Sequence, residues 1–258
     1  MIHLKSPAEL DAMARGGAII GGLFRSLKPL IVPGVDTGAL DRFCDDFILS
    51  HEGATPAFKG LYGFPGSVCI SVNHEVVHGI PSPRKTLSDG DIVSVDVGVR
   101  REGWCSDSAW TFRVGEVEVA TDELLRITEH ALREAISVTV VGNHIGDIGA
   151  AVMDAVAGTP FGIIRDLVGH GVGRDVHEDP QVPNIGRKGQ GPLLRSGMVL
   201  AIEPMLSAGS AGIRTLDDGW TVVTSDGSRA AHFEHTVAVT PEGPRVLTAP
   251  QDRASVAA

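Results

Sequence analysis

Gly90-Asp91-Ile92-Val93-Ser94-Val95-Asp96 and Gly197-Met198-Val199-Leu200-Ala201-Ile202-Glu203 have the same form. Each opens on a turn glycine, runs through an apolar, β-rich stretch and ends on a carboxylate six residues after the glycine. One copy in each half of the chain predicts an α+β fold of two pseudo-symmetric αβ halves. In such a fold Asp96 and Glu203 are expected to face each other across a pseudo-twofold axis. A carboxylate at the end of an apolar strand needs a partner, because burying an unpaired charge is costly.

The flanking sequence supplies the helices. Ser6-Pro7-Ala8-Glu9 combines an N-cap, a proline at the first helical position and a capping-box glutamate, and predicts a helix over 7–27. Pro33-Gly34 breaks the chain, and a second helix is expected over 37–50, stopping before Gly53. Short β-rich runs at 67–72, 92–98 and 105–114 follow, separated by Pro, Gly and Asp turns. The order then repeats: helices over 121–141 and 147–156, then strands over 199–205, 220–224 and 232–240, with Asp226-Gly227 as a hairpin turn between the last two. Residues 1–248 are expected to form a single domain, and 249–258, small and polar, a flexible C-terminal tail.

Composition narrows the function. A formal charge of −10 over 258 residues makes nucleic acid or an anionic membrane surface an unsuitable main partner. No apolar run reaches the length of a membrane span, and the first residues read as a charged amphipathic helix rather than a secretory signal. Three cysteines, Cys44, Cys69 and Cys105, without CxxC spacing point to reduced thiols in a cytoplasmic protein and away from a thiolate zinc site. No exposed apolar stripe stands out, so a monomer is expected.

Asp107 follows Asp96 by eleven residues, past a turn at 100–103, so a hairpin would put both carboxylates on one face. Glu203 and Glu234, the latter in His232-Phe233-Glu234-His235-Thr236-Val237, repeat the pattern of an acid within a strand. Four acids directed inward would raise one another's pKa, and two divalent cations remove that repulsion. His170, in Gly169-His170-Gly171-Val172-Gly173, adds one imidazole, with glycines that allow close backbone approach and positive φ. Asp96, Asp107, His170, Glu203 and Glu234 thus form a hard, oxygen-rich set suited to a dinuclear centre that hydrolyses amides or phosphates. His177, in His177-Glu178-Asp179-Pro180, and His78, after the apolar Val76-Val77, are further candidates for the same cavity. The bland alternative, strand-end caps and surface histidines, explains each residue singly but not the set.

Those segments, with Ser67-Val68-Cys69-Ile70-Ser71-Val72-Asn73 and Val77-His78-Gly79-Ile80-Pro81, resemble the type I methionine aminopeptidases of the pita-bread metallopeptidases over about residues 3–248. The resemblance implies the pita-bread fold, with a curved antiparallel sheet around two divalent cations (cobalt, manganese, iron or zinc). It implies co-translational removal of the initiator methionine from nascent polypeptide N-termini, with the ribosome as the candidate place and a small second residue preferred. By the same resemblance Asp96 chelates one metal, Asp107 and Glu234 bridge both, and His170 and Glu203 complete the other shell. A bridging hydroxide then attacks the scissile carbonyl, with Glu203 handling the proton, His177 facing the oxyanion and His78 the scissile amide.

The methionine pocket maps by resemblance to Phe58, Leu61, Phe64, Cys69, Val176 and Trp220. Leu61 and Val176 replace aromatic residues common in the family, His232 stands where a glutamine is usual, and His74 interrupts an acidic pairing after Asn73. Two other readings remain open: an X-Pro peptidase of the same fold, and an inactive binding module built on it.

Overall fold

Ser6 accepts a hydrogen bond from the Glu9 amide while the Glu9 carboxylate takes the Ser6 amide at 2.8 Å, so the chain enters its first helix with two end donors satisfied. In the computed structural model, which describes residues 2–249, this helix is α1 (Pro7–Leu27). Helix α2 (Thr37–Leu49) starts under an Asp36 cap, and strands β1 (Ala54–Pro56), β2 (Cys69–Val72), β3 (Glu75–Val77), β4 (Ile92–Arg101) and β5 (Trp104–Arg113) complete the first half. The second half again begins with helices, α3 (Val119–Ser137) and α4 (Ile145–Val156). Strands β6 (Gly162–Ile163), β7 (Val168–Gly171), β8 (Glu178–Pro183), β9 (Val199–Ile202) and β10 (Met205–Ser207) follow. The chain finishes with β11 (Ile213–Thr215), β12 (Val222–Thr224), β13 (Ala230–His232), β14 (His235–Thr240) and β15 (Gly243–Val246).

Strand β4 is the spine of the first half. It pairs antiparallel with β5 along one edge, and with β2 and β1 along the other. The β4–β5 turn is Glu102-Gly103, both at positive φ (53° and 75°), as a two-residue hairpin that follows strand twist requires. Val93, Val95, Val97 and Val99 point to one face and pack with Ile20, Leu23 and Leu27 of α1 and Leu40 of α2. Each such side chain, wholly buried, contributes roughly 1.5–3 kcal/mol. The opposite face, by the period of two, carries Ser94, Asp96 and Gly98.

In the second half β9 plays the same part, in the order β15-β14-β9-β7-β8. Leu200 and Ile202 of β9 and Val237 of β14 pack with Leu124 and Leu132 of α3 and Ile148 of α4. The halves meet where β5 runs beside β14. The Asp107 amide donates to Thr236 Oγ1, the Glu234 amide to the Ala109 carbonyl, and Ser108 Oγ to the Glu234 carbonyl.

Several expectations need correction. Asp96 does not end its strand: β4 runs on to Arg101. The 199–205 strand divides into β9 and β10, because Pro204 has no amide proton for the ladder. The 232–240 strand divides at Phe233-Glu234, because the Glu234 amide goes to β5 across the interface, so Glu234 lies in a break rather than within a strand. Asp226-Gly227 does turn the chain, but not as a hairpin: β12 pairs with β11 and β3, whereas β13 pairs with β10. Helix α3 stops at Ser137, ahead of the β-branched run Val138-Thr139-Val140-Val141, rather than reaching 141. The tail expected at 249–258 lies, from 250 on, outside the described residues.

Candidate metal centre

The β4–β5 register sets Asp96 opposite Ala109 and Asp107 opposite Gly98, so the two aspartates are diagonal neighbours on one face. Cys69 of β2 stands opposite Asp96 on the other side. Glu203 and Glu234 enter from the two places where the second-half strands break. Pro204 pushes Glu203 toward extended backbone, and the cross-half hydrogen bond fixes Glu234.

His170 sits on β7, opposite Ala201 of β9. A Cβ on Gly169 would collide with the Ala201 carbonyl, and one on Gly171 with the Asp179 carbonyl. These glycines serve close approach alone; neither they nor Gly173 adopts positive φ, contrary to the expectation. His170 Nδ1 lies 2.9 Å from the Gly171 carbonyl. A carbonyl only accepts, so Nδ1 carries the proton and Nε2 presents its lone pair. That nitrogen is 3.5 Å from Glu203 Oε1 and 3.9 Å from Asp107 Oδ2. One ligand atom each from Asp107, His170 and Glu234 falls within 4.8 Å of the others.

The electrostatics are those of a site built for cations. Asp96 Oδ1, Asp107 Oδ1 and Glu234 Oε1 are buried without a hydrogen-bond partner. Burial pushes the Asp96 carboxyl up to about 7, against a hydrogen bond with Asp107 that opposes the rise. Burial, then the charges of Asp96 and Glu203, hold Asp107 well above the carboxylate range. Glu203 is raised by burial and by Asp96, and Glu234 by burial and by Asp107, Glu203 and Asp96. Burial lowers His170 to about 4 and also lowers His78 and His177, keeping these rings neutral near pH 7. Orphaned carboxylate oxygens around an imidazole lone pair fit divalent cations, which would replace the protons that burial forces onto the acids.

All four carboxylates, His170, His78 and His177 line one cavity of about 260 Å³. Apolar side chains line the same cavity, Phe58, Leu61, Phe64, Cys69 and Trp220, with the Phe64 and Trp220 rings edge to face at 5.2 Å. The Cys69 thiol, raised by burial, stays neutral there. Val176 is the exception among the expected pocket residues: it is buried in the core beside Val172 and does not line the cavity. His78 holds a left-handed backbone (φ 58°) as β3 ends, and the next amide, Gly79, is tied to Ser71 Oγ at 3.0 Å. The His177 ring packs on His170 at 4.5 Å between centroids.

Tyr62 and Leu167 are among the lining residues that carry no motif signal. Tyr62, exposed and at φ 50°, stacks on His177 at 5.9 Å, and Leu167 closes another side. A lone tyrosine between Gly60 and Gly63 reads as a loop residue. A third, His232, stands out in the sequence only as a departure from the resembled family. It is buried, with Nε2 3.6 Å from Glu203 Oε2.

The model of metallopeptidase family M24 matches residues 11–241. A methionine aminopeptidase of Clostridium perfringens is 52% identical over 248 residues, 96% of this chain and 99% of the relative. The crystal structure of a methionine aminopeptidase from Thermotoga maritima superposes with a TM-score of 0.94 at 44% identity, covering 96% of this chain and all of that one. A prolidase from Pyrococcus horikoshii shares the fold at 21% identity, with a TM-score of 0.76 over 97% of this chain and 64% of its own.

Proposed function

The chain belongs to metallopeptidase family M24, and from that premise we propose how its cavity works on a polypeptide N-terminus. The enzyme removes the N-terminal methionine by metal-dependent hydrolysis. One observation carries the reading: orphaned carboxylates and an imidazole line the same cavity as the apolar wall of Phe58, Leu61, Phe64, Cys69 and Trp220.

Asp96, Asp107, His170, Glu203 and Glu234 would hold two divalent cations, of cobalt, manganese, iron or zinc. When bound, these supply a water of lowered pKa and polarise the scissile carbonyl. Phe58, Leu61, Phe64, Cys69 and Trp220 receive the methionine side chain, matching a soft thioether to soft apolar walls. Asp96 sits beside the pocket and attracts the free α-amine, which restricts the reaction to chain ends. Glu203 takes the proton from the attacking water and passes it to the leaving amine. His177 donates an N–H to the developing oxyanion, and His78 contacts the scissile amide; both rings are neutral near pH 7 and keep a proton to donate.

The cavity admits a small second residue and excludes a bulky one. Residues 1–248 act as one catalytic unit. Initiator methionine exists on chains newly made in the cytoplasm, so the substrate is the nascent polypeptide, met by a monomer at or near the ribosome.

The test is cleavage of Met-Ala-Ser, Met-Pro-Ala, Ala-Ala-Ser and Met-Lys-Ser by metal-stripped protein with each divalent ion restored in turn. Methionine is expected from the first peptide only with metal, with Ala-Ala-Ser and Met-Lys-Ser intact. No release from any peptide, with two ions bound, would overturn the reading in favour of a binding module.

A further inference from the structure

Glu203 has an imidazole on each side. Its Oε1 is 3.5 Å from His170 Nε2, and its Oε2 is 3.6 Å from His232 Nε2. The same His232 nitrogen is 4.0 Å from Glu234 Oε2. His232 is 1% exposed, and neither of its ring nitrogens has a hydrogen-bond partner. A buried ring nitrogen without a partner is expensive, and Nε2, the one that faces the two carboxylates, calls for an occupant.

A hydrogen bond to Glu203 is not that occupant, because 3.6 Å is beyond the range in which an N–H bonds to oxygen. Two donors to one ion, each about 2.1 Å from it, stand about 3.0–4.2 Å apart according to their angle. The separations of His232 from Glu203 and Glu234 fall in that range. They match those of His170 from Glu203 and Asp107, 3.5 and 3.9 Å. His232 is the last residue of β13, whose backbone is clamped to β5: its amide donates to Thr111 Oγ1 at 2.9 Å, and Thr111 Oγ1 donates to its carbonyl at 2.8 Å. The backbone that carries the ring is therefore fixed beside the carboxylate cluster.

We propose that His232 is a second imidazole donor to the metal centre, on the edge formed by Glu203 and Glu234. This rests on the metal-centre reading above and adds a ligand to it. With two nitrogen donors the set is less purely oxygen, which shifts preference from manganese toward iron, cobalt and zinc.

The experiment uses the full chain. Metal-stripped protein, unmodified or carrying His232→Gln or His232→Asn, is titrated with Co²⁺ and separately with Mn²⁺ by calorimetry. The visible d–d bands of the Co²⁺ form are recorded, and circular dichroism checks folding. Loss of a ligand is expected to weaken Co²⁺ binding at least about tenfold, alter the band positions and intensity, and weaken Mn²⁺ binding less. X-ray absorption at the cobalt edge of the unmodified chain, which needs no variant to fold, is expected to count two imidazoles per molecule. One imidazole, or unchanged affinity and bands in a folded variant, would overturn the proposal while leaving the metal centre standing. Failure of the unmodified chain to bind Co²⁺ would instead overturn the metal-centre reading, and this proposal with it.

Discussion

Thr236 grips the backbone of Asp107 from the other half of the molecule: its Oγ1 accepts the Asp107 amide proton at 2.9 Å and donates to the Asp107 carbonyl at 2.7 Å. Both groups are buried, so nothing else stands ready to satisfy them. Thr236→Val keeps the shape and removes both bonds. It is expected to cost about 2–3 kcal/mol in urea unfolding, and to weaken divalent-ion binding because Asp107 loses its fixed position. Thr236→Ser should recover most of both. Unchanged stability and metal affinity in the valine variant would show that the two bonds do not hold the halves in register.

The raised carboxylates give the metal-free chain a stability slope. Asp96 rises from its ordinary value to about 7, and Asp107, Glu203 and Glu234 rise well above theirs, so the folded state keeps protons that the unfolded chain has already released. Stability therefore falls as pH rises through the folded values. The lowered histidines act in the opposite direction, but only below the ordinary histidine value, where the unfolded chain binds the extra protons. Between about pH 7 and 8.5 the carboxylates set the slope, and toward the top of that interval the thiols of Cys44, Cys69 and Cys105, raised by burial, add to it in the same direction. Thermal unfolding of the stripped protein is expected to move to lower temperature across that interval, and saturating divalent ion should flatten the slope. A flat profile without metal would contradict the carboxylate shifts.

His170→Ala or Glu203→Ala should abolish turnover of Met-Ala-Ser. His177→Ala should slow it by about a hundredfold or more, the usual cost of an oxyanion donor, with the metal content of the purified protein unchanged. Full activity in His177→Ala would remove the oxyanion role from that ring. Loss of metal along with activity would move His177 into the ligand set.

Leu61 lines the cavity among its apolar residues. Leu61→Tyr narrows the pocket and should raise selectivity for methionine over leucine or norleucine at the peptide N-terminus, read as the ratio of kcat/KM values. An unchanged ratio would take Leu61 out of the specificity pocket.

What the sequence made legible was mostly local. The capping box at Ser6 and Glu9, the valine alternation of β4 and the short Asp96–Asp107 spacing each encode geometry within a few residues of themselves, and the first helix and hairpin formed accordingly. The misread elements depend on distant partners. Phe233-Glu234 looks like strand, yet the Glu234 amide is claimed by Ala109 of the other half. Asp226-Gly227 looks like a hairpin turn, yet its flanking strands join different sheets. The nearness of His232 to Glu203 and the stacking of Tyr62 on His177 are likewise set by tertiary register, which no window of sequence contains.

The placement of the tryptophans has an optical consequence. Trp104, buried, lies under the Arg174 guanidinium at 3.7 Å, and Trp110, half-buried, stands edge-on to Phe233 at 4.8 Å; neither lines the cavity. Among the described residues Trp220 is the indole that lines the cavity. Its emission is therefore a built-in gauge of occupancy. On the proposed reading, a thioether seated against that wall would change the surroundings of this fluorophore more than those of Trp104 and Trp110. Binding of a methionine-bearing chain end can thus be followed without a label, even on metal-free protein in which no bond is cut.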